Sequence, residues 1–320
     1  MKIVYMGTPD FAVPGLRALI KHHDVAAVFT QPDRPSGRGH KLAASPVKMA
    51  ALEHGIEVLQ PQTLRVKRDD ISDVSGAKKY RALLQAFDAD IFVVAAYGLI
   101  LPKGVLNMPK LGCINIHASL LPKYRGASPI HATLLHGDTE TGITIMHMDV
   151  GIDTGDMIIK KSIPILPNER FPSLHDRMAA LGAECVVEAV DALEKGTAAR
   201  TQQNDEESCY APMIKKSDGR IDWNQKSAQI INRLRALEAW PGVYTMYNAQ
   251  PLKIWGMESQ TTSTDAPPGT ILTADTTNGL RIKTADGAIN ITEIQPSGKK
   301  RMATADYLRG AKISVGTVLD

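Results

Sequence analysis

The chain has 320 residues, 43% hydrophobic and 22% charged, a soluble globular composition with room for two medium domains that each bury a core. No apolar run approaches the roughly 20 residues of a membrane span, and the net charge of +3 is too small by itself to imply nucleic acid. Cys113, Cys185 and Cys209 are odd in number and form no CxxC pair, which argues against a disulfide framework or a structural zinc site and for a reducing cytoplasm.

Lys2–Met6 reads as a strand without a signal segment or Arg-rich presequence before it, so export is not expected. Gly7-Thr8-Pro9-Asp10 turns into a helix with Pro14 in its first turn, where proline is tolerated. Val25–Thr30, Ile56–Leu59, Ile91–Ala96 and Cys113–His117 give further strands, with helical stretches near Val47–His54 and Arg81–Phe87 between them. This alternation argues for an α/β fold, a doubly wound and mostly parallel sheet. In such sheets ligands bind beyond the carboxyl ends of the strands, at the point where strand order reverses. The first turn lacks G-x-G-x-x-G, and no P-loop, H-E-x-x-H or zinc deaminase pattern occurs, so nicotinamide, nucleotide-hydrolysing and metal-hydrolytic chemistry all lose support. No catalytic metal is expected.

Two stretches between these elements read as loops. Gln31–Leu42 is rich in Gly, Pro and basic residues, with Arg34, Arg38 and Lys41 suited to phosphate contact. Arg65–Lys79, charged and poor in large apolar residues, reads as a solvated connection.

The segment Asn115–Pro122 carries the strongest signal. Side chains alternate along a strand, so Asn115, His117 and Ser119 share one face while Ile114, Ile116 and Ala118 share the other. Two strong hydrogen-bonding groups at the carboxyl end of an otherwise apolar strand need a reason. After the turn Lys123–Ser128 and the helix Ile130–His136, the strand Thr141–Asp149 leads to Val150-Gly151-Ile152-Asp153-Thr154-Gly155-Asp156. Glycines on either side of Asp153 make a tight turn able to aim its carboxylate back at the strand ends. A carboxylate, an imidazole and a carboxamide can then converge.

Asn115-Ile116-His117, running into Ser119-Leu120-Leu121-Pro122-Lys123-Tyr124-Arg125-Gly126 and followed by Asp149–Asp156, closely resembles the folate-dependent formyltransferase family. Ala118, Tyr124 and His147 depart from that pattern, where Gly, Trp and Gln or an aromatic are expected. The resemblance covers nearly the whole chain and implies Asn115, His117 and Asp153 as the catalytic set. Within the family, Pro32–Gly39 and the presence of a C-terminal domain resemble the branch that formylates methionine on initiator tRNA. It implies 10-formyltetrahydrofolate as formyl-donor cosubstrate, bound by Ser119, Leu120, Leu121 and Pro122 and by Tyr97, Gly98, Leu99, Ile100 and Leu101. It also implies the acceptor end of initiator Met-tRNA as partner, no membrane, and a monomer.

Pro172–Asp176 opens a helix with Ser173 as its N-cap and an apolar stripe from Leu174 to Leu193. The expected organisation is a catalytic domain over residues 1–193, a polar linker over 194–208, and a C-terminal domain over 209–320. In the last of these the helix Ser227–Leu237 precedes strands separated by turns at Pro241-Gly242, Pro267–Gly269, Asn278-Gly279 and Asp286-Gly287. The family resemblance makes this a small β-barrel of the oligonucleotide-binding type. Residues 210–320 hold 14 Lys and Arg against 10 Asp and Glu. Lys215, Lys216, Lys299, Lys300 and Arg301, with Arg220, are the candidates for phosphate contact, whereas Trp223, Trp240 and Trp255 are expected mainly to pack. Two other readings keep the same sheet: formylation of a small amine such as glycinamide ribonucleotide or an amino sugar, and a non-catalytic RNA-binding protein.

Overall fold

A computed structural model of the protein describes residues 1–36, 41–66 and 76–319. Arg38, the Lys41 side chain and residues 67–75 of the charged connection lie outside the described residues. The chain divides into two compact units. The first holds Met1–Gly126, Glu140–Pro164 and His175–Tyr210; the second holds Ala127–Thr139, Ile165–Leu174 and Ala211–Asp320.

Seven strands form the sheet of the first unit: β1 (Lys2–Gly7), β2 (Asp24–Phe29), β3 (Glu57–Leu59), β4 (Ile91–Ala95), β5 (Cys113–His117), β6 (Glu140–His147) and β7 (Met157–Pro164). Their order is β7-β6-β5-β4-β1-β2-β3. Strands β1 to β5 pair in parallel; β6 runs antiparallel to β5, and β7 antiparallel to β6. Every residue of β4 is buried, as a parallel strand covered on both faces requires. Val4, Met6, Phe92, Val94 and Cys113 share one core cluster, and the two-residue period puts Asn115 on that face. On the other face Ile116 meets two helices, Val13–His22 and Phe171–Glu194. A Cβ on Gly15 or on Gly182 would stand 3.0 Å from the Ile116 side chain, so both glycines set a close helix-to-sheet approach.

Strand order reverses between β1 and β4. There Thr8 Oγ1 and Gln31 Nε2 donate to the Tyr97 carbonyl at 2.9 and 3.0 Å, tying the two strand ends together. Asn115 and His117 lie one strand further out, on β5.

Three local expectations are corrected. The Gln31–Leu42 stretch is not all loop: Arg34–Ser36 pairs antiparallel with Lys41–Ala43. A polar network fixes its root, where Lys48 Nζ donates to Asp33 Oδ2 and Gln60 Oε1 at 2.7 and 2.8 Å, and Gln60 Nε2 donates to Asp33 Oδ1 at 2.7 Å. Ala77–Ala86 is a helix, so the charged connection ends earlier than Lys79. The long helix starts at Phe171, two residues before Ser173, whose hydroxyl instead donates to Glu169 Oε1 at 2.8 Å.

The second unit carries an antiparallel sheet of β8 (Val243–Tyr247), β9 (Gln250–Gln260), β10 (Ile271–Asp275), β11 (Gly279–Lys283), β12 (Ala288–Gln295) and β13 (Met302–Ala303). The order is β8-β9-β12-β11-β10, with β13 beside β12. The helix Ser227–Leu237 has the expected bounds, and Ile230, Leu234 and Leu237 form its buried stripe. None of the described helices is long and apolar enough to cross a membrane.

Candidate active site

Strand β5 delivers Asn115 and His117 to the site, and the turn after β6 delivers Asp153. Asn115 Nδ2 donates to Asp153 Oδ1 at 3.4 Å, and His117 Nδ1 stands 3.6 Å from Asp153 Oδ2. The three side chains named from sequence therefore meet. The His117 side chain is 4% exposed and that of Asp153 17%, so the carboxylate keeps a route to an incoming ligand while the imidazole is held by protein. His117 Nε2 lies 3.0 Å from the Tyr124 carbonyl. A carbonyl can only accept, so Nε2 carries a proton and Nδ1 is the nitrogen left to exchange one with the site.

Asp153 is held in a demanding conformation. Its φ is +54°, in the left-handed region that only a few residue types enter readily. Gly126 N donates to Asp153 Oδ2 at 2.8 Å. Gln203 Nε2 donates to the carbonyls of Asp153 and Gly155, both at 2.8 Å. Arg125 Nε and Nη2 donate to Gln203 Oε1 at 3.0 and 2.9 Å, which fixes the amide so that its NH2 faces the turn. Asp149 Oδ1 accepts from Gly151 N and Thr154 Oγ1 at 2.9 and 2.7 Å. A Cβ on Gly155 would come within 1.9 Å of the His147 carbonyl, so only glycine lets the turn lie against β6.

The Ser119–Tyr124 segment is equally braced. Ser119 Oγ donates to the Lys123 carbonyl at 2.6 Å. Thr144 Oγ1, on β6, donates to the Ser119 carbonyl at 2.7 Å and accepts from Leu121 N at 3.1 Å. Tyr124, at φ +60°, has its N–H directed at Cys209 Sγ, 3.2 Å away. Leu121 is fully buried against Met146 and Met157, so its side chain lines the interior rather than a ligand slot.

The second group expected to line a folate slot does not present one face. Tyr97 and Leu101 are 2% and 6% exposed and belong to the core, and burial drives the Tyr97 hydroxyl well above the ordinary phenol range. Ile100 is 73% exposed, with Gly98 exposed and Leu99 half-buried beside it. The basic residues are dispersed. Arg34 is exposed and donates through Nη2 to Gln31 Oε1. Lys215 and Lys216 are exposed at the turn Lys216–Gly219. Lys299, Lys300 and Arg301 are exposed just before β13. There Arg301 pairs with Glu293 and lies over the Trp255 ring at 5.0 Å, while Lys299 Nζ lies over the Tyr307 ring at 5.8 Å. Trp223 is buried and donates to Thr245 Oγ1 at 3.0 Å, as packing requires, whereas Trp240 is 54% exposed.

Sequence reading missed Gln203 and Thr144. Gln203 sits in a polar run that resembles a linker, and nothing in its neighbours signals that it is 7% exposed. Thr144 did leave a trace, a hydroxyl inside the apolar run Ile143–Met146.

Residues 1–190 match the family model for formyl transferase, and residues 213–312 match that for the formyl transferase C-terminal domain. The chain belongs to the formyltransferase family. Among curated formyltransferases, the methionyl-tRNA formyltransferase of Geobacter metallireducens is 47% identical over 317 residues, covering 99% of this chain and 97% of that one. The methionyl-tRNA formyltransferase of Syntrophus aciditrophicus is 46% identical over 320 residues, covering 100% and 99%. Among solved structures, an N-formyltransferase from Helicobacter canadensis in complex with folinic acid and dTDP-3-aminofucose superposes with a TM-score of 0.66 at 22% identity, over 92% of this chain and 99% of that one. The sugar 3N-formyl transferase WlaRD gives 0.64 at 22% identity, over 94% and 99%. These two share the fold.

Proposed function

We propose that this formyltransferase transfers the formyl group of 10-formyltetrahydrofolate to the amino group of methionine esterified to initiator tRNA, giving formyl-Met-tRNA and tetrahydrofolate, as a monomer in the cytoplasm. The observation that carries the reading is the meeting of Asn115, His117 and Asp153 in a chain 47% identical, end to end, to a methionyl-tRNA formyltransferase.

Attack of the amine on the formyl carbon produces a tetrahedral oxyanion, which needs donors already in place; losing one such donor typically costs ~2.7–4 kcal/mol of barrier. The Asn115 carboxamide supplies an N–H for it, oriented by the Asp153 carboxylate. A free α-amine titrates near roughly 7.7–8.0 and the amine of an aminoacyl ester lower, so much of the nucleophile is neutral at physiological pH. The larger task is to take a proton from the attacking nitrogen and deliver one to the departing N10. His117 Nδ1 and the Asp153 carboxylate face each other across 3.6 Å and form the proton shuttle.

The folate lies along the Leu120 side of the Ser119–Pro122 segment, with Leu121 turned inward, and along the exposed side of Gly98–Ile100, with backbone groups satisfying the pterin edge. The acceptor end of the tRNA is reached by Arg34, Arg38 and Lys41, and its backbone phosphates by Lys215, Lys216, Lys299, Lys300 and Arg301. Formylation assays supplied with the donor folate test the choice of acceptor. Methionyl initiator tRNA is expected to be formylated well ahead of methionyl elongator tRNA, glycinamide ribonucleotide and a nucleotide-linked amino sugar. Preference for either small amine would overturn the reading.

A further inference from the structure

His23, Asp191 and Glu194 gather at the amino-terminal edge of the first unit's sheet, at the opposite strand ends from Asn115 and His117. His23 follows the helix Val13–His22, and Asp191 and Glu194 are one turn apart at the end of the helix Phe171–Glu194. One ligating atom from each lies within 4.8 Å of the others. The His23 side chain is 4% exposed, and its Nε2 is buried with no hydrogen-bond partner. Nε2 is nonetheless 3.3 Å from Asp191 Oδ1. Zinc binds imidazole nitrogen and carboxylate oxygen at roughly 2.0–2.2 Å in tetrahedral geometry, which puts two ligands of one ion about 3.3 Å apart. The pair thus has ligand spacing without a hydrogen bond.

The α-amino group of Met1 lies 3.2 Å from Glu194 Oε1 and 3.5 Å from His23 Nδ1. It engages one carboxylate oxygen and leaves the other. Burial and this neighbouring ammonium hold the His23 imidazole below its ordinary range, in the neutral form that ligates metals. An ammonium can only donate, so Nδ1 is the acceptor in that contact; ligation through Nε2 puts the ring proton on Nδ1 and leaves the α-amino group to Glu194 alone.

We propose that His23, Asp191 and Glu194 bind one divalent transition-metal ion of the zinc type, which fastens the end of the long helix to the end of the helix Val13–His22. An imidazole with two carboxylates suits zinc better than magnesium, which favours all-oxygen shells. The site takes no part in formyl transfer.

Full-length protein stripped with a chelator and titrated with Zn2+ by calorimetry tests this. One equivalent is expected to bind and to raise Tm, and Co2+ in its place should give the visible absorption of a tetrahedral ion. His23→Ala, and the isosteric Asp191→Asn and Glu194→Gln, should each weaken binding by more than ~10-fold, while His54→Ala, at an exposed histidine elsewhere, should leave it intact. No binding by the unsubstituted protein up to about 1 mM Zn2+, or unchanged affinity in the three variants, would overturn the proposal. Formylation rates do not enter, so the result is independent of the reading of the active site.

Discussion

Asp153 shows how much surrounding structure one candidate catalytic side chain recruits. Its carboxylate touches Asn115 and Gly126 N, while its own carbonyl and that of Gly155 are gripped by Gln203. Gln203 bonds the backbone of Asp153 and Gly155 rather than the three candidate catalytic side chains, so the role proposed for it is positioning. Displacing a catalytic group by an ångström from a remote change can cost ~100-fold. Gln203→Ala is therefore expected to lower kcat about 10- to 100-fold with little change in KM for the folate and an unchanged circular dichroism spectrum. Steady-state kinetics check this, and a kcat equal to that of the unsubstituted protein would show that the turn keeps its shape without the clamp.

At the scale of elements, the turns carry much of the specificity. The helix Ser227–Leu237 of the second unit begins on a carboxylate from the turn after β11, where Asp286 Oδ1 accepts from Ser227 N at 2.8 Å. That hydrogen bond holds the Asp286 carboxyl below its ordinary range. A depressed folded-state value means stabilisation that is present above the unfolded value of about 3.9 and lost as pH falls through the lower folded value. Asp286→Ala should lower Tm by about 1–3 °C near neutrality, and the difference should shrink below about pH 4 and then vanish. Thermal melts across pH 2.5–7, a span set by the roughly one-unit scatter of carboxylate values, decide it; a difference independent of pH would assign the effect to packing.

Element types were legible where pattern is local. Apolar runs bounded by Gly, Pro and Asn fixed β1 to β6, and the stripe of Ser227–Leu237 fixed that helix. The strand Met157–Pro164 was missed because its alternation is interrupted by Lys160 and Lys161 and its definition comes from pairing with β6. The β8–β9 hairpin turns through Asn248 and Ala249, both at positive φ. An alanine gives no sign of that conformation, which the flanking strands impose. The site followed the same rule. Asn115 and His117 were readable from strand alternation and Asp153 from its glycines, whereas Gln203, 50 residues beyond Asp153, depends on tertiary approach.

For the whole molecule, the proposed function divides the work: the positive excess of residues 210–320 would hold a polyanion and the sheet domain would transfer one carbon. If Lys215, Lys216, Lys299, Lys300 and Arg301 contact phosphates, tRNA affinity should fall steeply between about 50 and 200 mM salt, with a log–log slope that shallows as these lysines are replaced. Filter binding of initiator tRNA measures this, and a flat response would remove the electrostatic account of tRNA holding. Choice of acceptor and chemistry of transfer are separable, so the catalytic claim needs its own test. The most direct is the single-turnover rate of formyl transfer from 10-formyltetrahydrofolate to methionyl initiator tRNA, for the unsubstituted protein and for Asn115→Ala and Asp153→Ala. The expected result is transfer by the unsubstituted protein and a rate at least ~100-fold slower in each folded variant; near-normal rates in either variant would contradict the assignment of the site.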